Sequence, residues 1–182
     1  MRNSMLVVGL LSTLSPVVAH AATPAELTAA AKKLAVTNAA TYQPIGSTTK
    51  CNLFVKDFAK EILGATPTEL NGTANIIFDN LSASGDWTKY LLSDVNAAFA
   101  AAQDAANHGK FVLIAYKNPG GHGHIGVGVP SQESGGSMQM SGQWGTKVPF
   151  IAQAGAAVFE YKMMSCGFKP AIKADMAVFI KK

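Results

Sequence analysis

The chain has 182 residues, 48% of them hydrophobic and only 14% charged, with a formal net charge of +4. That length fits one domain with a sizeable core, and the apolar content excludes a disordered or collagen-like chain. Small residues supply much of the apolar count, so an Ala- and Gly-rich core is expected.

The first residues have the build of a secretory signal: Arg2, an apolar run from Met5 to Leu11, then Ala19-His20-Ala21 as a small-x-small cleavage site. Residues 1–21 are expected to be removed and residues 22–182 to form a single domain, periplasmic or secreted. Stable membrane insertion is not expected, because the apolar run is shorter than the roughly 18 to 20 residues a span needs and Pro16 interrupts its continuation. Losing the signal takes Arg2, the one arginine, and leaves 14 lysines against 11 carboxylates. Without the bidentate guanidinium fork, nucleic-acid recognition is disfavoured. A mildly lysine-basic exported protein suits an anionic envelope polymer, although charge alone fits simple solubility equally well.

In chain order, Thr23-Pro24-Ala25-Glu26 starts a helix with a capping residue, Pro at the first position and an acid in the first turn, running to about Val36. Residues 38–50 read as a loop. A second helix begins near Cys51 with Thr48 or Thr49 as cap, carries Leu53, Phe54, Phe58, Ile62 and Leu63 as its apolar stripe, and stops at Gly64. A short helix is predicted over residues 74–81, then a loop over 82–86 leading into Trp87. A third long, Ala-rich helix runs from Val95 to His108, capped by Ser93 or Asp94 and ended by Gly109. Strand-like segments come next at 111–116, 124–129, 137–140 and 148–159, with 174–180 as a final edge, and residues 131–137 read as a hairpin loop. Helices first and strands after imply an α+β fold with an antiparallel sheet.

Cys51 thus opens a helix, where unpaired N–H groups and the helix dipole favour a thiolate and can hold a developing oxyanion. Beyond the signal the chain has three histidines: His108, His122 and His124. His124 opens a strand-like run just after the Gly-rich segment 118–123, and is the better candidate for a rigidly held base. His122 shares its strand face and reads as a rim residue. His108, at a helix C-terminus, reads as a solvated partner of the dipole. Asp57 reads as solvent-facing.

Thr49-Lys50-Cys51-Asn52-Leu53-Phe54-Val55, followed by Gly123-His124-Ile125-Gly126-Val127, resembles the Cys and His boxes of the NlpC/P60 and CHAP cell-wall amidases and endopeptidases. These are papain-like thiol hydrolases of peptidoglycan that include amidase toxins delivered between bacteria. Residues 106–115 also resemble that family's junction between helix and first strand, and the likeness spans residues 42–157. It implies a papain-like fold in which Cys51 attacks an amide carbonyl and His124 moves its proton. A third polar residue would orient the imidazole. Gln153 in the segment 149–155 resembles the family's third box best, with Gln143 the alternative; the commoner residues there are His, Asn, Asp and Glu. Asn52, His122, Trp87 and Trp144 are candidates for substrate contact. Peptidoglycan is the implied partner, a proteinaceous inhibitor is possible for a toxin, and a monomer without cofactor is expected.

Two other readings stay open on the residues. A Cys51–Cys166 disulfide is the default for an even pair in an oxidising compartment, and would make the chain an inactive envelope-binding domain. A thiol acyltransferase would exchange amides instead of hydrolysing them. A metal site at His122 and His124 lacks a nearby third ligand.

Overall fold

The computed structural model describes residues 22–46 and 48–182; the expected signal lies outside the described residues. The fold is α+β. Among the described residues, five α-helices are followed, with one early strand among them, by the rest of a six-stranded antiparallel sheet. α1 (Pro24–Lys32) begins as expected: the Thr23 hydroxyl accepts from the Glu26 N–H at 3.2 Å, while the Glu26 carboxylate accepts from the Thr23 N–H at 2.7 Å. It ends in a π-helical turn (Lys33–Thr37), and a four-residue helix α2 (Ala39–Tyr42) replaces part of the expected loop.

α3 (Cys51–Leu63) starts and stops where the sequence indicates, with Gly64 in the left-handed region at φ 73°. Its buried face is Phe54, Val55, Phe58 and Ala59, so the expected stripe is rotated: Leu53 and Leu63 are exposed. Asp57 is half-buried, not solvent-facing, because its carboxylate accepts a 2.7 Å hydrogen bond from the buried Tyr42 hydroxyl. Burial and this bond both push the Tyr42 phenol above its ordinary range. α4 (Ala74–Ala83) and α5 (Val95–Asn107) come next, capped by Thr73 and Asp94.

The strands are β1 (Trp87–Leu91), β2 (Val112–Tyr116), β3 (His124–Gly128), β4 (Gln139–Ser141), β5 (Thr146–Val148), β6 (Phe150–Ala154), β7 (Val158–Met163) and β8 (Met176–Lys181). The sheet order is β1-β8-β2-β3-β6-β7, while β4 and β5 form a separate hairpin. Three expectations change. β1 is a strand directly after the expected loop, its mixed residues suiting an edge. The expected single strand over 148–159 is three, broken at Pro149 and at the turn around 155–157. β8 is not an edge: it lies between β1 and β2, which explains its burial from Met176 to Ile180.

The sheet has a core on each face. Leu113, Ala115, Ile125, Val127, Ala152 and Phe179 pack with α1, α3 and α4; Val112, Ile114, Ile151, Val178 and Ile180 pack with α5 and the β4–β5 hairpin. Strict alternation along β2 sends successive side chains to opposite cores, so the strand reads as one continuous apolar run. Alanines on both sides let helices lie close to the sheet, consistent with the small-residue composition.

Candidate active site

Cys51 is the first residue of α3, buried at 4% exposure. The helix has no side-chain cap: Lys50 occupies the N-cap position, and the expected caps, Thr48 and Thr49, do not serve. Instead the Thr49 hydroxyl faces the Cys51 sulfur at 4.0 Å. The first-turn N–H groups have no helix carbonyl to bond and remain available for negative charge.

His124 is the first residue of β3 and Gln153 lies on the neighbouring β6. The two strands pair with Val127 opposite Ala152, so the continued register places Gly155 across from His124 and Gln153 diagonal to it on the same face. There His124 Nε2 and Gln153 Oε1 are 2.8 Å apart. A register slip in the β6–β7 pairing between Ile151 and Gln153 gives the local bulge that aims this side chain. The Gln153 amide nitrogen donates to the Ala157 carbonyl at 3.5 Å, which turns the oxygen toward the ring. An amide oxygen only accepts, so Nε2 carries the hydrogen and Nδ1 is left for the thiol.

Two close approaches make this possible. A Cβ on Gly167 would strike the Gln153 Oε1, and one on Gly155 would lie 2.8 Å from His124 Cε1. Beneath the imidazole, the buried Phe168 ring sits with its centroid 4.9 Å from that of His124.

The electrostatics couple the pair. Burial pushes the Cys51 thiol up, but the hydrogen bond and charge of His124, with the Ile125 N–H and Thr49 hydroxyl, outweigh it and hold the thiol below its ordinary range. Burial likewise pushes His124 down, yet the Cys51 hydrogen bond and charge and the Gln153 contact raise it above the usual imidazole range. Both shifts favour a thiolate–imidazolium pair, the form in which cysteine is a nucleophile at neutral pH.

A cavity of about 530 Å³ opens over these groups. Asn52 and His122 line it, Asn52 with its amide donating to the Gly72 carbonyl at 2.9 Å and His122 exposed on the rim. Asn75 is a site residue that sequence reasoning misses. Its amide donates to the carbonyls of Asn118 and Gly121 at 2.9 and 3.0 Å, and its oxygen accepts from the Asn118 N–H at 2.9 Å. This clasp fixes the Gly-rich loop that delivers His124.

Other candidates fall elsewhere. Trp87 does not line the cavity: it is buried in the core with its ring centroid 5.7 Å from that of Phe111. Trp144 packs edge-on against Phe99 on the opposite face of the sheet. Their size and aromaticity fit a groove and a core equally; the β1 pairing carries Trp87 into the core, and the β4–β5 hairpin packs a partly buried Trp144 against it. Gln143 lies at the β4–β5 turn, outside the cavity that holds His124. Cys51 and Cys166 are both free thiols, not a disulfide, and both line the cavity. His108 Nδ1 is 3.4 Å from Asp104, one helical turn back at the exposed end of α5. No cluster of three or more His, Cys, Asp or Glu suited to a metal occurs among the described residues.

No protein-family model matches the chain, and no curated protein is significantly similar to it.

Proposed function

We propose that the protein is an exported papain-like cysteine hydrolase that cleaves an amide bond in the stem peptides of peptidoglycan. The observation that carries the reading is the alignment of Cys51, His124 and Gln153 across α3, β3 and β6, with a polarised thiol opening on a cavity. The choice of peptidoglycan is supported by the Cys and His boxes of the sequence and by the signal-like N-terminus.

In this mechanism the Cys51 thiolate attacks the scissile carbonyl while the imidazolium of His124 stands beside it. The tetrahedral oxyanion is held by N–H groups at the uncapped start of α3. His124 then gives its proton to the leaving amine, and the C–N bond breaks to leave a thioester on Cys51. Water, deprotonated by the now neutral His124, attacks the thioester and releases the acid and the thiol. Gln153 keeps the ring in the tautomer that presents Nδ1 to sulfur throughout. As a neutral acceptor it stabilises the imidazolium less than a carboxylate would.

Incubating residues 22–182 and the Cys51→Ala variant with purified peptidoglycan, and resolving soluble products by mass, tests the reading. Stem-peptide fragments with a new carboxylate from the Cys51 protein alone are expected, and they identify the bond. Amides exchanged onto another amine would make the protein an acyltransferase. No product from either folded protein would overturn the assignment.

A further inference from the structure

The cavity over Cys51 and His124 does not end at the dyad. Cys166 and Gly167, on the segment between β7 and β8, form part of its wall and also part of the wall of a second cavity of about 830 Å³. The second cavity is bounded by the β4–β5 hairpin, with Met140 and Gln143, and by Met163 and Lys169 from the other side. The two sides are tied together: the Trp144 indole N–H donates to the Phe168 carbonyl at 3.2 Å, linking the hairpin to the 166–169 segment.

Its chemistry is selective. Among the described residues, neither cavity lining contains an aspartate or glutamate, although the chain has 11. Lys169 is exposed in the second lining and belongs to none of the ion pairs among the described residues. The thioether of Met140, 63% exposed, offers an adaptable apolar surface beside an amide and a cation. A surface of this kind suits a flexible chain that carries a carboxylate, not a cation or a rigid apolar ligand.

We infer that substrate crosses the Cys166–Gly167 ridge and that the second cavity is a subsite for a carboxylate-bearing peptide segment, with Lys169 as the specificity-determining cation and Gln143 and Met140 as its flanks. This inference rests on the amide-hydrolase reading for the step at Cys51, and its test separates the two.

The Cys51→Ala protein is titrated calorimetrically with disaccharide-peptide released from peptidoglycan by a muramidase, and with the same fragment after its carboxylates have been converted to amides. Lys169→Gln is expected to weaken binding of the acidic fragment about fivefold and Lys169→Glu about tenfold or more, as for loss and reversal of one cation facing a carboxylate. The amidated fragment should bind more weakly and lose its dependence on Lys169. Lys173→Glu, the same charge change on an exposed lysine outside both cavities, should leave binding unchanged. Equal binding by the parent and Lys169→Glu proteins, or equal effects of the Lys169 and Lys173 changes, would overturn the subsite. In parallel, the Cys51 protein is assayed for cleavage of the fragment. Lys169-dependent binding without cleavage would remove the hydrolase reading and keep the subsite. Cleavage with a KM indifferent to Lys169 would do the reverse, and neither binding nor cleavage would remove both.

Discussion

Replacing Gln153 by Met preserves the length of the side chain and deletes its acceptor, leaving the His124 Nε2–H without its partner. Gln153 is 3% exposed and the contact is 2.8 Å, so no water readily takes the oxygen's place. A hydrogen bond to a charged group contributes about 1.5–3 kcal/mol. Nε2 keeps its hydrogen in the neutral tautomer, so only the excess over a neutral bond of about 0.5–1.5 kcal/mol distinguishes the two forms, about 1 kcal/mol. At about 1.4 kcal/mol per pH unit, that is roughly 0.5–1 unit on the imidazolium. The sign depends on which form the oxygen favours. It stabilises protonated His124, so without it His124 titrates lower. Formation of the thiolate beside an already charged ring has the Gln153 bond on both sides and does not move, whereas the ion pair is lost at lower pH, so its window narrows from the alkaline side. The measurement is the rate of Cys51 alkylation by iodoacetamide as a function of pH, in a Cys166→Ser background so that one thiol reports. The alkaline step of the profile, where His124 loses its proton, should fall by roughly 0.5–1 pH unit in Gln153→Met. His124→Ala removes the charge itself and should raise the thiol midpoint. An unmoved alkaline step in a Gln153→Met protein with native circular dichroism would refute the assignment of Gln153 as the positioning residue.

Gly167→Ala should reproduce part of that shift with the glutamine itself unchanged, because Gly167 has an ordinary φ of −114° and its new methyl would displace the Gln153 oxygen; an unshifted alkaline step would show that the amide has room to move. Asn75→Ala breaks the clasp on the His124 loop, at about 1–2 kcal/mol of stability. Amide exchange across residues 118–121 should accelerate and turnover should fall, with the alkylation midpoint of Cys51 unmoved, since Asn75 does not touch the dyad. Tyr42→Phe removes the 2.7 Å bond to the half-buried Asp57 and should cost about 1–2 kcal/mol, a fall of several degrees in Tm, with thiol reactivity unchanged.

Local rules read well from this sequence, and tertiary pairing does not. Thr23-Pro24-Ala25-Glu26 contains every partner of its own capping box, and Gly64 needs only its own backbone to stop α3, so both are legible. The place of β8 between β1 and β2 depends on where two distant strands lie, and no property of residues 176–181 distinguishes an internal strand from an edge that packs well. Trp87 illustrates the same limit: an aromatic residue marks a large buried contact but not which one. Gln153 is legible as a candidate only through its resemblance to a third box. Its contact with His124 depends on the β3–β6 register and on a bulge that no residue announces. Asn75 escapes sequence reading because a clasp on a loop 43 residues away leaves no periodic signal.

The start of α3 connects the missing cap to the chemistry. A Ser or Thr at the N-cap normally satisfies a first-turn N–H and stabilises a helix by about 1 kcal/mol, which makes Thr48 or Thr49 the natural expectation. Here the chain places Lys50 at the cap and turns the Thr49 hydroxyl toward sulfur. A hydroxyl bonded to those N–H groups would compete with a thiolate or an oxyanion for the same donors. Leaving the cap empty forgoes local helix stability and keeps the donors free beside Cys51, while the buried contacts of Phe54, Val55 and Phe58 hold the helix in place. A capping side chain introduced at position 50, as in Lys50→Asp, should therefore stabilise the fold while raising the alkylation midpoint of Cys51, both through its charge and by occupying donors. A variant that gained stability with unchanged thiol reactivity would show that the helix terminus contributes nothing to the thiolate.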